Sequence, residues 1–162
     1  MMDEILQTIR QSATDIADQF TDPDDDWMPV AFFEMGDGTV VPMGGDLMRN
    51  KELFVSVIMP MTIQKLHAQS VALIVSAWVI TSDTPDPDVP PSQHPDRIEV
   101  VLLTHVTADE TEAWRAYIDR DPLGLRPPRL GEWDHWEDEG GVIGGRFVDS
   151  IQEALREERE GS

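Results

Sequence analysis

The stretch that decides the fold is Val71-Ala72-Leu73-Ile74-Val75-Ser76-Ala77-Trp78-Val79-Ile80-Thr81. Apolar side chains occupy both alternating sets of positions, so a strand formed here would be apolar on both of its faces. The run is about half as long as a membrane-spanning helix needs to be. The pattern therefore predicts a central strand of a sheet.

Four further strands are predicted from apolar runs and from the turn residues between them. Gly36-Asp37-Gly38 marks the turn of a β-hairpin, and residues 82–95, with five prolines, are predicted to be a loop. Residues 112–120 also fit a helix; we choose a strand because apolar and polar residues alternate there after a short polar link. The four strands lie at residues 28–35, 39–43, 97–106 and 112–120.

Three helices are predicted from apolar residues that recur every three or four positions. The first runs from Asp3 to Phe20, and the last covers residues 149–159 after a connector rich in Gly, Trp and acids (131–145). The second, at residues 50–67, must kink or divide at Pro60, because proline removes one backbone donor. The predicted core contains Ile9, Ile16, Phe20, Phe32, Leu53, Val57, Leu73, Val75, Trp78, Val100 and Leu102.

These elements predict one α+β domain over residues 1–162, with the order α-β-β-α-β-β-β-α. Its sheet is expected to be mostly antiparallel, to have about five strands and to be packed by helices on one face. A chain of 162 residues is long enough for one ordinary domain and needs neither a metal nor a disulfide to stay folded.

Charge and cysteine content exclude several classes of function. The chain has no cysteine, which excludes disulfides, thiolate nucleophiles and Cys-ligated zinc. Its formal net charge of −20 repels nucleic-acid phosphate and anionic membranes. We therefore expect no direct nucleic-acid binding and no membrane association. The acidic N-terminal residues lack the basic region of a secretory signal, so a cytoplasmic location is expected, with the oligomeric state left open.

No cofactor or metal is predicted, because each candidate motif lacks a residue that it requires. Asp22, Asp24 and Asp26 have the spacing of a calcium-binding loop, but Trp27 and Phe33 stand where that loop needs glycine and glutamate. The glycines of residues 140–146 are not followed by the Lys-Ser/Thr of a phosphate-binding loop. We interpret the first motif as an acidic turn and the second as a flexible connector.

One grouping has the residue types of acid–base catalysis, namely His94, Asp96 and Glu99. His94 and Asp96 stand near the exit of the Pro-rich loop, where a cleft would suit a small hydrolase. In the simpler interpretation, Asp96 forms a turn and Arg97 a salt bridge, and both only anchor the loop.

The preferred interpretation is a non-catalytic interaction or inhibitor protein that presents an acidic face to a basic protein partner. A DNA mimic or a phage-encoded regulator is a specific version, but duplex DNA carries one charge per roughly 1.7 Å of its axis, so mimicry requires the acids to be gathered on one face. A salt-adapted source would explain the acidity without any partner. The predicted partner-binding residues are Asp24, Asp25, Asp26, Glu132, Trp133, Trp136, Glu137 and Asp138.

Three segments carry a resemblance to known proteins, and they are Val75-Ser76-Ala77-Trp78, His94-Pro95-Asp96-Arg97-Ile98-Glu99-Val100 and Leu130-Gly131-Glu132-Trp133. Over residues 68–136 the chain resembles a group of uncharacterised small proteins from bacteria and their phages. That group has an Ala-Trp strand, a Pro-rich loop and a Pro-Asp-Arg-x-Glu strand in this order. It has no known activity, so the resemblance implies an order of elements and no site. An acid often stands in that group where this chain has Ser76.

Overall fold

The computed structural model describes residues 2–44, 53–80, 97–136 and 145–161. Within these ranges the chain is an α+β protein with three helices and a six-stranded antiparallel sheet, which confirms the predicted fold class. The helices are α1 (Met2–Ile16), α2 (Met59–Leu66) and α3 (Gly145–Gly161). The strands are β1 (Val30–Met35), β2 (Val40–Gly44), β3 (Ala68–Ile80), β4 (Arg97–Thr107), β5 (Thr111–Asp119) and β6 (Arg129–Trp136).

The strands follow one another across the sheet in the order β2-β1-β3-β4-β5-β6. β3 lies inside the sheet between β1 and β4, as its doubly apolar pattern predicts. β1 pairs antiparallel with it in a register that places Phe33 opposite Val71. The choice of a strand over a helix for residues 112–120 is confirmed by β5.

The hairpin of β1 and β2 closes through the predicted glycine turn. The backbone N–H of Gly38 donates to the carbonyl oxygen of Met35 at 3.0 Å, and that of Met35 donates to the carbonyl oxygen of Thr39 at 2.8 Å. Gly38 has a φ of 88°, which a residue without Cβ adopts at little cost. The Asp37 carboxylate accepts the Thr39 N–H at 2.9 Å, which completes the turn.

β6 is a strand that the sequence pattern did not indicate. Residues 131–136 belong to the Gly/Trp/acid-rich stretch for which no strand was predicted, and the structure corrects this. β6 is an edge strand, and of its side chains Glu132, Asp134 and His135 are exposed. Such a strand buries too little to show the apolar alternation by which strands are recognised.

The second helix changes its geometry next to Pro60. Residues Phe54–Ile58 form a π-helical turn, and the α-helix begins at Met59. Pro60 thus occupies the first turn of α2, where a missing N–H breaks no helical bond. Leu53 and Val57, which were predicted to lie in the core, are 47% and 44% exposed. Phe54, Met59 and Ile63 are buried instead, because the extra residue of the π-turn rotates the apolar face.

The core is distributed over two compact units, each made of three chain segments. The α1 unit buries Leu6, Ile9 and Trp27, and the α3 unit buries Phe33, Ile63 and Ile151, each at most 7% exposed. Ile9 and Val100 are buried as predicted, Ile16 is 44% exposed, and Phe33 is more deeply buried than Phe32. The α1 unit comprises Met1–Trp27, Val75–Leu102 and Arg115–Asp134; the α3 unit comprises Met28–Ile74, Leu103–Trp114 and His135–Ser162.

Two further expectations concern the whole chain. That these units make up one domain stays a prediction. In the described ranges, none of the helices has the length and the apolar character that spanning a bilayer requires.

Candidate functional site

The segment from Asp22 to Asp26, here called the acidic loop, follows α1 and a short 3₁₀ turn. The Asp25 carboxylate accepts the backbone N–H groups of Thr21 at 2.9 Å and Asp22 at 3.0 Å. The Asp22 carboxylate accepts the N–H of Asp24 at 2.9 Å. The two bonds to Asp25 favour its ionised carboxylate and lower its pKa. The bond from the Asp22 N–H has the largest effect. Asp22 and Asp25 therefore shape the loop.

Trp27 joins the acidic loop to α1. Its indole N–H donates to the carbonyl oxygen of Ala13 at 2.7 Å, and the side chain is buried. The ring of Phe20 meets the Trp27 ring edge-on, with the centroids 4.9 Å apart. A buried indole with a satisfied N–H is a strong anchor, so the loop is held against the last turns of α1.

Arg120, directly after β5, joins the acidic loop to the sheet. Its Nε lies 3.0 Å from both carboxylate oxygens of Glu99 on β4, and its Nη2 also donates to Glu99. Its Nη1 donates to the backbone carbonyls of Pro23 and Asp25, both at 3.3 Å. The hydrogen bonds to Glu99 are the largest cause of a raised Arg120 pKa. One guanidinium thus binds a strand and the backbone of the acidic loop.

Asp26, the last residue of the acidic loop, has contacts of its own. Its carboxylate lies 3.5 Å from Nη2 of Arg120 and accepts the Ser76 hydroxyl at 3.2 Å. Asp24 is exposed, and its backbone N–H donates to the Asp22 carboxylate. The three predicted partner-binding acids of this loop therefore differ: Asp25 and Asp26 hold the structure, whereas the Asp24 carboxylate faces solvent.

The second predicted acidic cluster begins on β6. The indole N–H of Trp133 donates to the Thr14 hydroxyl at 3.1 Å, and Arg129 pairs with Asp18 at 2.9 Å, so β6 is bound to α1 and to the 3₁₀ turn that follows it. Glu132 is exposed, and strand alternation turns it to the face opposite Trp133. The backbone of Trp136 lies in β6. Glu137 and Asp138 lie outside the described residues.

The predicted catalytic group is represented by one described residue. Glu99 lies on β4, its side chain is 14% exposed, and both of its oxygens are bound by Arg120. His94 and Asp96 lie outside the described residues. Within the described part of the chain, no three His, Asp or Glu side chains are grouped closely enough to hold a metal ion.

A cavity of about 450 Å³ in the α3 unit is a feature that the sequence did not reveal. At its rim His67, the C-terminal cap of α2 with a φ of 52°, places Nδ1 2.6 Å from the Glu158 carboxylate. Arg159 pairs with Asp109 at 2.8 Å on the same rim. Residues 67 and 158 are far apart along the chain and belong to no motif, so no sequence signal could have paired them.

The chemistry of this cavity is limited by these pairings. Glu158 orients the imidazole through Nδ1. Thr107, the hydroxyl residue among the described lining residues, accepts the N–H groups of Asp109 and Glu110. A histidine at a left-handed helix cap is also a common structural solution, because His tolerates this conformation better than most residues do.

Comparison with known proteins adds no relative. No protein-family model matches the chain, and neither a characterised protein nor a solved structure is significantly similar to it. The resemblance to the group of small bacterial and phage proteins therefore stays a prediction.

Proposed function

We propose that the chain is a non-catalytic interaction or inhibitor protein that binds a basic protein partner through α1 and the acidic loop. The observation that carries the proposal is the charge of this segment: Met1–Trp27 contains eight Asp and Glu residues and one Arg, a formal net charge of −7. The side chains of Asp15, Asp18, Asp22, Asp24 and Asp26 are exposed. About one third of the net charge of the protein thus lies on one sixth of its length.

The order of the acidic loop supports binding. Its backbone is held by the Asp25 carboxylate, by the Trp27 anchor and by Arg120, which come from two of the three segments of the α1 unit. A preformed loop loses little conformational entropy when a partner binds. The exposed acids attract a basic partner over a Debye length, so the association rate should fall as salt is added.

The structure indicates which acids can be changed without damage to the fold. Asp25 is unsuitable for charge reversal, because a lysine there would leave two backbone N–H groups without their acceptor. Asp24 can become lysine, and Asp22 can become asparagine, whose side-chain oxygen can still accept the Asp24 N–H. The variant D22N/D24K therefore raises the net charge by 3 with the turn preserved.

A matched control is available in the α3 unit. Glu157 and Glu160 are exposed near the C-terminal end of α3, where added positive charge is favourable, and E157K/E160Q raises the net charge by the same amount. Immobilised wild-type protein should retain basic proteins from a lysate at low salt and release them at moderate salt. D22N/D24K should retain less and the control should not. Equal retention by all three proteins at both salt concentrations would refute the proposal.

The same assay tests a more specific form of the proposal, in which the chain is a DNA mimic. If the retained partner is displaced by duplex DNA, its DNA-binding surface is the one that is occupied, as a DNA mimic requires. The hydrolase alternative at His94, Asp96 and Glu99 stays a prediction. The Glu99 carboxylate serves as the acceptor for Arg120, which is a structural role, and no described contact favours catalysis there.

A further inference from the structure

The connection between β5 and β6 carries two leucines that are almost fully exposed. Leu123 is 76% and Leu125 is 78% exposed. A single exposed leucine needs no explanation, since much of any protein surface is apolar. Here two of them flank Gly124 at the end of one turn, and together they form an apolar projection that we call the leucine tip (Leu123–Leu125).

The leucine tip is fixed by hydrogen bonds from its own backbone. One oxygen of the Asp121 carboxylate accepts the N–H of Leu123 at 3.1 Å, and the other accepts that of Leu125 at 3.0 Å. The N–H of Gly124 donates to the Asp121 carbonyl at 3.0 Å, and Gly124 has a φ of 66°. The turn therefore holds both leucines outward without help from a partner. An ordered apolar projection is a typical anchor for binding, because little entropy remains to be lost.

Arg120 connects the base of this turn to the acidic loop. It is the residue before Asp121, and its guanidinium donates to the backbone carbonyls of Pro23 and Asp25. On the other side of the tip, Arg126 pairs with Asp119 at 3.0 Å. All of these residues belong to the α1 unit. The side chain that binds the acidic loop thus belongs to the residue directly before the turn of the leucine tip.

We infer that the leucine tip inserts into an apolar pocket on the basic protein partner that the acidic loop binds. This inference rests on the proposed function. Protein interfaces commonly combine an apolar centre with a polar rim, and the tip and the loop supply these two parts. The net charge of −20 opposes a second copy of the chain and an anionic membrane as occupants. The partner is therefore expected to have an apolar pocket bordered by Lys and Arg.

The first experiment places a photo-cross-linking amino acid at Leu123 in the full chain. The control carries the same group at Glu157, which is exposed on α3. Irradiation in a lysate of the organism that encodes the protein should cross-link position 123, and not position 157, to a basic protein. The additional changes D22N/D24K should abolish this cross-link.

The second experiment measures affinity for the cross-linked protein after its purification. L123S/L125S should bind at least about tenfold more weakly than wild type, since burial of one leucine is worth roughly that factor or more. The salt dependence of binding should not change, because no charge is removed. M61S is the matched control, since Met61 is 56% exposed on α2, in the α3 unit. The melting temperatures should agree, because serine keeps the backbone bonds to Asp121.

The outcomes separate this inference from the proposed function. Charge-dependent retention without a cross-link from position 123, or unchanged affinity of L123S/L125S, overturns the leucine tip alone. If cross-linking or retention is unchanged by D22N/D24K, or if wild type shows neither, both the leucine tip and the proposed function are overturned. If wild type sediments with neutral phosphatidylcholine vesicles and L123S/L125S does not, the leucine tip binds a membrane and the inferred pocket on a protein partner is overturned. A dimer in wild type that is lost in this variant overturns it in favour of self-association.

Discussion

Replacement of Arg120 by methionine tests whether this side chain holds the acidic loop to the sheet. Arg120 is 31% exposed and Glu99 is 14% exposed, so their pair lies between a surface pair and a buried one. Exposed pairs contribute less than about 1 kcal/mol, and loss of one partner from a buried pair costs about 3–5 kcal/mol. R120M also removes two bonds to backbone carbonyls. We expect a loss of about 2–3 kcal/mol in the free energy of unfolding.

The assay is urea unfolding followed by circular dichroism, with thermal melts in parallel. For a chain of this length about 1 kcal/mol corresponds to about 2–4 °C, so the melting temperature should fall by about 4–12 °C. Arg126→Met is the matched control, because its partner Asp119 is 65% exposed and Arg126 itself 44%. The control should lose less than about 1 kcal/mol.

A double-mutant cycle with Glu99→Gln isolates the pair itself. If Arg120 and Glu99 act together, the losses in the two single variants should sum to more than the loss in R120M/E99Q. Equal losses in R120M and R126M, or strictly additive losses in the cycle, would refute the reasoning. Glu99 would then be available for another role, and the hydrolase alternative would gain support.

Three further predictions concern other parts of the fold. Trp27→Phe removes the indole bond to Ala13 and leaves a smaller ring at a buried position, so it should cost at least about 1–2 kcal/mol in urea unfolding; an unchanged urea midpoint would contradict this. Asp25 has a lowered pKa in the folded state, so its contribution is present above its unfolded pKa of about 3.9 and is lost as the pH falls through the folded value. The difference in urea midpoint between wild type and D25N should therefore be largest near neutral pH and should become small below about pH 4. A difference that does not change with pH would contradict this prediction. Gly38→Ala forces alanine to a φ of 88° and should destabilise the hairpin by about 1–2 kcal/mol, whereas a neutral effect would mean that the turn rearranges.

The strands that the sequence predicted carry apolar runs, and β1 and β2 also flank a glycine turn. β3 and β4 lie inside the sheet, where burial selects the pattern from which strands are recognised. β6 lies at the edge, where Trp133 binds α1 and Arg129 binds the 3₁₀ turn after it. Two polar contacts of this kind leave no apolar periodicity in the sequence. The π-turn was missed for a related reason: its extra residue shifts the buried positions from Leu53 and Val57 to Phe54 and Met59.

The candidate site was predictable in composition and not in geometry. The acidic loop is visible in the sequence as a run of aspartates, and its use as a turn follows from the ability of Asp to accept backbone N–H groups. Its attachment to Arg120 was not predictable, because Pro23 and Arg120 are separated by most of the chain and no pattern relates them. The leucine tip was missed because exposure is a property of the fold, and two leucines in a short loop have no distinctive spacing.

Five of the described arginines are held by acids or backbone carbonyls within the fold. Arg129 and Arg159 pair with aspartates, Arg156 donates to the Ala108 carbonyl, and Arg120 and Arg126 hold the two sides of the β5–β6 turn. Each guanidinium is directed at a neighbour within the fold, so its charge is screened from an approaching molecule by the acid or dipole that it contacts. Among the described contacts Asp22 and Asp24 form no ion pair, whereas Asp26 lies 3.5 Å from Nη2 of Arg120. A basic partner would therefore meet a field set mainly by the acids, which is the physical reason for placing the interface at the acidic loop.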